Sequence, residues 1–244
     1  MILAQVLRLK HVSRLIVCMA LLSSSVSLPA QNPSSSTNSA ALEAILNQMD
    51  AAAARFRNAQ SDFKAETYQK VVNETDTQAG HIYFRRSGKG QLQMASHFES
   101  PDEKYVVYSD GTIRVYQPKI EQVNEYDAGK NRSEIESFML LGFGGGGHDL
   151  QRQFDVQLTG NEDVDGQKTV KLELVPKDQK VKNMFDKIII WVDTAQAISL
   201  KQQFFEPSGD YRTTAYTNIK VNVKIADDVF KLHTSGHTKT VKGS

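Results

Sequence analysis

The chain has 244 residues, of which 23% are charged and 40% hydrophobic, and these are the proportions of an ordinary globular protein. Its 29 basic and 28 acidic side chains give a formal net charge of +1, without the basic surplus typical of nucleic-acid-binding proteins. A single Cys excludes a disulfide framework and a Cys-rich metal centre within one chain.

The first thirty residues have the three parts of a secretory signal peptide. Three basic side chains precede the apolar run 15–22, and small residues lead from it to Ala30. The run is short for a membrane span, and an N-terminus that stays uncut as an anchor is the alternative. We predict a signal peptide over residues 1–30, cleaved near Ala30, with Ser27 as a second cleavage position.

Removal of this segment changes the charge and the cysteine count. Cys18 lies inside the apolar run and follows Val17, so it lacks the pattern of a lipoprotein attachment site. The segment contains three basic residues and no acid, which leaves 26 basic (29 minus 3) against 28 acidic residues, or a net charge of −2. The mature chain then contains no cysteine, so its stability cannot depend on oxidation.

A linker and a helix are predicted next. Residues 31–39 are polar and rich in Ser, which is typical of a disordered linker. Apolar side chains then recur at steps of three and four residues, which predicts a helix over 40–57. Its apolar face contains Leu42, Ile45, Leu46, Met49, Ala53 and Phe56.

From residue 60 onward the polar–apolar period changes to two, which predicts strands separated by Gly and Asp turns. The alternation begins at Phe63, Ala65 and Thr67, and we predict roughly ten or eleven strands. The predicted strands are 80–86, 90–94, 105–108, 112–116, 122–126, 154–161, 169–175, 185–192, 198–205, 211–223 and 229–232.

One stretch interrupts the strand pattern. Residues 133–143 are too densely apolar for a strand, and we predict a short helix that ends at the run Gly144–Gly147. This helix is either a lid over a cavity or a core helix, and the glycines would act as a helix stop and hinge. The glycines formally match G-x-G-x-x-G, but they follow a helix, whereas the dinucleotide motif follows a strand.

The expected fold class is mainly β (α+β). We predict a strongly curved sheet or an incomplete antiparallel β-barrel, with the N-terminal helix and the central helix over its mouth. A barrel with this number of strands can enclose an apolar cavity, over which the central helix would form a lid. No composition shift or internal repeat divides the chain, so residues 40–244 form a single predicted domain.

No residue set predicts catalysis, a metal site or a cofactor. The histidines lack metal-ligand spacing, and the acid pairs at 102–103 and 227–228 lie next to turns. We therefore expect a protein that is not an enzyme. One charged residue is unusual: Arg86 shares a strand face with Ile82 and Phe84, so its guanidinium would reach backbone carbonyls of the lid, or else extend to water.

Four stretches share their order and spacing with a known family. They are the residues Phe63, Ala65, Gln69 and Lys70; the strand 80–86; Ser109-Asp110-Gly111 with Tyr116, Pro118 and Gln122; and Phe138-Met139-Leu140-Leu141. Through them the chain resembles the LolA-like outer-membrane lipoprotein carriers of the LolA/LolB-like superfamily. The resemblance covers nearly all of the mature chain. The chain departs from the family pattern at Ser87, at Gln91-Leu92-Gln93 and at the four glycines.

The resemblance implies a periplasmic carrier with an incomplete barrel whose cavity receives the acyl chains of lipoproteins. It also implies that Arg86 is the family's arginine that holds the lid closed. The candidate cavity and lid residues are Arg86, Ile82, Phe84, Phe63, Phe138, Met139, Leu141 and Phe143.

The implied partners are an inner-membrane lipoprotein-releasing ABC transporter as donor and an outer-membrane receptor as acceptor, with no nucleic acid. The carrier is expected to be a monomer. The alternative is a binding or sensory module of the same fold for another envelope lipid or protein.

Overall fold

The structure, a computed structural model, describes residues 33–87 and 90–243. The helices are α1 (Pro33–Arg55), α2 (Arg132–Met139), α3 (Gly147–Gln153) and α4 (Gln179–Lys182). The strands are β1 (Asn58–Gln69), β2 (Glu74–Arg86), β3 (Leu92–Ser100), β4 (Lys104–Ser109), β5 (Thr112–Gln117), β6 (Gln122–Asp127), β7 (Phe154–Val164), β8 (Gln167–Pro176), β9 (Lys187–Asp193), β10 (Ser199–Phe205), β11 (Tyr211–Val221) and β12 (Lys239–Lys242). The predicted signal peptide lies outside the described residues.

All twelve strands belong to one sheet, in the order β12-β6-β5-β4-β3-β2-β1-β11-β10-β9-β8-β7. Neighbouring strands are antiparallel except β12, which runs parallel to β6. The two edge strands, β7 and β12, do not pair with each other, so the sheet stays open as an incomplete barrel. The predicted fold class is confirmed, with one strand more than expected and one parallel pair.

The sheet has an inner face that the helices cover. Ile82 and Phe84 of β2 are buried on this face, and the intervening Tyr83 points to the outer face. One apolar cluster joins β1–β5 to Phe56 and Phe143, and a second joins β7–β10 to Ile45 and Met49 of α1. The interior between sheet and helices is therefore packed with side chains from both.

The first helix is longer than predicted. It begins at Pro33, so most of the predicted linker 31–39 is helical. Proline suits the first helical position, because the backbone N–H at that position has no partner within the helix, whichever residue occupies it. None of the helices in the described ranges is both long and apolar enough to cross a bilayer.

The central helix and the last predicted strand also need correction. The helix predicted over 133–143 ends at Met139, and a further helix, α3, begins at Gly147. The strand predicted at 229–232 is wrong, because Asp227–Phe230 forms a 3-10 turn. Phe230 packs against the outer face of the sheet, and this tertiary contact decides the local conformation. The four-residue elements α4 and β12 are too short to leave a sequence pattern.

Candidate functional site

The segment from α2 to α3, residues 132–153, lies over the inner face, and we call it the lid segment. Its central turn carries Leu140, Leu141 and Phe143, which keep only 8%, 2% and 1% of their surface exposed. Leu140 and Phe143 pack into the first apolar cluster, while Leu141 packs into the second. The turn is therefore an apolar wedge that fills the space between the two clusters.

Three backbone carbonyls of this turn are bound by the sheet. Arg86 Nη2 at the end of β2 donates to the Gly144 carbonyl over 3.1 Å. From β10, Ser199 N donates to the Gly142 carbonyl over 2.8 Å, and Gln202 Nε2 donates to the Leu141 carbonyl. A buried carbonyl without a donor would cost about 1–3 kcal/mol, so these bonds hold the turn closed from two sides.

A tyrosine orients Gln202. Tyr216 on β11 donates its hydroxyl to Gln202 Oε1 over 3.3 Å, which leaves the amide nitrogen directed at the lid. Burial raises the pKa of Tyr216, so this hydroxyl stays a neutral donor. Phe143 packs edge-on against the Tyr216 ring, with 4.7 Å between centroids, and stacks on Phe84 at 5.4 Å.

The glycine run packs closely against α1. A Cβ at Gly144 would overlap the Phe56 ring, and one at Gly147 would overlap the backbone of Leu46. Gly144 also has a φ of +84°, which side chains other than glycine rarely adopt. In this closed arrangement Gly147 allows contact between two backbones and Gly144 makes room for the Phe56 ring, while the use of the glycines as a hinge stays a prediction.

A histidine joins α3 to α1 through two carboxylates. His148 Nε2 lies 3.1 Å from Glu43 Oε1, and His148 Nδ1 contacts Asp50 Oδ2. Asp50 Oδ1 also accepts the backbone N–H of His148 over 3.2 Å. Burial raises the pKa of Asp50, but its hydrogen bonds with His148 outweigh this and lower it overall. The hydrogen bond with Asp50 raises the pKa of His148 above its usual range.

All eight candidate residues from the sequence contribute to this region. Phe63, Ile82 and Phe84 are buried on the inner face, and Arg86 contacts the lid segment from the rim. Met139 packs against the first cluster and is only partly buried. Phe138 faces the second cluster, with ring centroids 6.2 Å from Phe154 and 6.0 Å from Phe185. Leu141 and Phe143 form the wedge.

Sequence reasoning missed five residues of this arrangement. They are Asp50, His148, Ser199, Gln202 and Tyr216. Only Gln202 left a signal in the sequence. It lies two residues from Phe204 and so shares its strand face, which places a polar side chain among apolar ones in the interior. The glycine run is visible in the sequence, but its contact with α1 leaves no local pattern.

Cavities in the described part of the structure lie on both sides of the sheet. One of about 200 Å³ lies beside the lid segment and is lined by Arg86, Glu136, Phe138, Leu141, Leu150 and Phe154, among others. Another, about 580 Å³, lies on the outer face between β3–β5 and residues 226–233. Ligand pockets usually have about 300–1,000 Å³, so the inner cavity is too small for a lipid while the wedge is in place.

Solved structures with the same fold come from several proteins. The crystal structure of MucB has a TM-score of 0.52 and 17% identity, over 80% of this chain and 63% of MucB. An uncharacterized conserved protein of Thermus thermophilus has a TM-score of 0.54 and 11% identity, over 83% of this chain and 99% of that protein. At these identities the likeness shows the fold alone.

A sequence relative is an uncharacterized protein of Methanocaldococcus jannaschii, MJ0687. It is 27% identical over an alignment of 144 positions, which covers 57% of this chain and only 40% of that relative's length. The family described as "Outer membrane lipoprotein carrier protein LolA" matches residues 54–233, or 180 of the 244 residues. The matched range contains strands β1 to β11, the lid segment and Arg86. The chain therefore belongs to the LolA family of outer membrane lipoprotein carrier proteins.

Proposed function

We propose that the protein is an exported, non-enzymatic carrier that shields the acyl chains of lipoproteins and moves them through the periplasm from the inner to the outer membrane. The observation that carries this proposal is the wedge formed by Leu140, Leu141 and Phe143. The side chains of the wedge are apolar, and the hydrogen bonds that hold the turn go to its backbone carbonyls. An acyl chain could replace its side chains against the same inner face.

The energies favour capture with reversible release. Each methylene removed from water contributes about 0.8 kcal/mol, so about a dozen contribute on the order of 10 kcal/mol. Opening the lid segment breaks the bonds donated by Arg86, Ser199 and Gln202, each worth about 1 kcal/mol. It also exposes the wedge to water unless the ligand or the opened lid covers it. The closed empty state therefore offsets part of the gain, which a carrier needs in order to unload.

The proposed partners follow from this cycle. The donor is an inner-membrane lipoprotein-releasing ABC transporter, and the acceptor is an outer-membrane receptor or the membrane itself. The carrier acts as a monomer, because the inner face that takes the ligand is complete in one chain.

Native mass spectrometry of the protein released gently from the periplasm tests the proposal. Bound triacylated lipoprotein is the expected result. Bound free lipid without lipoprotein would favour a binding or sensory module of the same fold. An empty protein that turns over an added lipid would contradict the carrier function. The variant Arg86→Leu should increase the fraction of protein that retains ligand, and the neighbouring Arg85→Leu on the outer face serves as its control.

A further inference from the structure

A guanidinium lies on the inner face at a position that the lid segment does not use. Arg212 of β11 is opposite Phe204 of β10 and Thr67 of β1 in the sheet register. It lies two and four residues from Thr214 and Tyr216, so the three side chains share one face. Phe204 belongs to the second apolar cluster, which places Arg212 inside the barrel.

This cation is poorly compensated. The guanidinium carbon lies 5.3 Å from the centroid of the Phe204 ring. Within the described ranges the Arg212 guanidinium takes part in no hydrogen bond and in no ion pair. Glu206 attracts it from a greater distance, and burial lowers the pKa of Arg212. Arg212 is half-buried, and a guanidinium remains charged in proteins, so an unpaired one among apolar side chains is costly unless water or a ligand anion solvates it.

Neighbouring donors become available when the lid segment opens. Gln202 is directly opposite Thr214 in the register, and its amide nitrogen now donates to the Leu141 carbonyl. Tyr216 donates to Gln202. Withdrawal of the lid turn removes the acceptor of Gln202, which lies two register rows from Arg212 on the same face. The opened interior then presents a cation and an amide donor on a face that they share with Phe204, Thr214 and Tyr216.

We propose that Arg212 and Gln202 form an anion-binding site inside the barrel, which takes the headgroup of an acidic acyl lipid. The inference rests on the proposed function, because it assumes that acyl chains enter this interior. It extends the ligand class from the neutral acyl chains of lipoproteins to single-chain lipids with a carboxylate or phosphate group. The guanidinium fork suits both anions, which it can bind through two parallel hydrogen bonds.

Calorimetric titration with three ligands of equal chain length tests the site. Decanoate, decyl phosphate and decanol each contain ten carbons in one unbranched chain and differ in headgroup. The mature chain should bind one or both anions about tenfold or more tightly than decanol, since a hydrogen bond to a charged group is stronger than a neutral one. The tighter anion identifies the headgroup.

Variants test whether Arg212 causes the preference for anions over decanol. Arg212→Met should reduce the ratio of anion to decanol affinity to about one, because methionine keeps apolar contact without charge. Arg212→Lys should keep part of the preference, which separates loss of charge from loss of folding. Lys220→Met removes an exposed charge from the same strand and should leave the ratio unchanged.

The outcomes separate the two proposals. Equal binding of all three ligands by the wild-type chain, or an unchanged preference in Arg212→Met, would overturn the anion site and leave the carrier function standing. Failure of all three ligands to bind, decanol included, would count against the apolar ligand interior itself and so against both proposals.

Discussion

Arg86 and Gly144 are 58 residues apart in the chain, and a hydrogen bond of 3.1 Å from Arg86 Nη2 to the Gly144 carbonyl joins them. The bond connects the end of β2 to the turn that carries the apolar wedge. On the other side of the same turn, Gln202 binds the Leu141 carbonyl. The lid segment is thus held to two strands that lie on opposite sides of β1 in the sheet.

Replacing Arg86 should shift the carrier toward its loaded state. Arg86→Leu removes the donor to Gly144, so the closed empty state loses stability while the apolar interior is kept. We expect tighter retention of lipoprotein and slower transfer to an acceptor, measured with purified loaded protein and outer-membrane vesicles. Arg85→Leu removes a neighbouring charge from the outer face, where Arg85 binds Gln93, and should transfer normally. Normal transfer by Arg86→Leu would contradict the latch.

Replacing Gln202 should destabilise the closed protein. Gln202→Leu keeps the volume but leaves the Leu141 carbonyl without its donor, at a cost of about 1–3 kcal/mol in the free energy of unfolding. Urea denaturation of the empty protein measures this loss. Gln203→Leu changes the adjacent side chain, which points to the opposite face, and is the matched control. Equal unfolding midpoints for the two variants would show that the carbonyl is satisfied in another way.

A methyl group at Gly147 should separate α3 from α1. The new Cβ would overlap the backbone of Leu46, which cannot rotate away as a side chain could. Overpacking of this kind costs about 1–3 kcal/mol, so Gly147→Ala should lower the melting temperature. Gly236→Ala, where no atom lies within 4 Å of the added carbon, provides the comparison. If both variants melt with the wild type, the contact between α1 and the glycine run is not tight in solution.

The contact of His148 with Asp50 and Glu43 should make stability depend on pH. The folded-state pKa of His148 is raised above its ordinary value of 6.5, so its contribution is present below about pH 6.5 and lost as the pH rises through the folded-state pKa. The folded-state pKa of Asp50 is lowered below 3.8, so its contribution is present above that value and lost as the pH falls through the lowered pKa. Between these limits both contributions are present.

Thermal unfolding of wild type and His148→Ala between about pH 5 and pH 9 measures the effect. The difference in melting temperature should be largest at the acidic end and shrink as the pH rises. Asp50→Asn should remove most of the same pH dependence, because it deletes the main partner. A difference that stays constant across the range would mean that His148 acts only by packing.

Local patterns in the sequence determined the strands and the orientation of their faces. Ile82, Phe84 and Arg86 alternate with Tyr83 and Arg85, and a strand places alternate residues on opposite faces whatever its neighbours are. The placement of Arg86 on the same strand face as Ile82 and Phe84, and the mainly β, incomplete-barrel class, therefore followed from the sequence and its family resemblance. The unusually apolar stretch Phe138–Phe143 is likewise evident from the sequence, because composition needs no tertiary information.

Only the tertiary structure decided how the lid segment is held. Gln202 binds a carbonyl 61 residues away, and His148 binds a carboxylate 98 residues away, so neither contact has a trace in the neighbouring residues. The predicted helix over 133–143 ended early because Leu140, Leu141 and Phe143 divide between two apolar clusters, which a turn permits. The glycines likewise reflect the close approach of α1. The Arg212 guanidinium has no ion-pair partner within the described ranges because its neighbours on β1 and β10, Thr67 and Phe204, carry no negative charge. Sequence periodicity specifies a face, but packing between distant segments specifies what that face contacts.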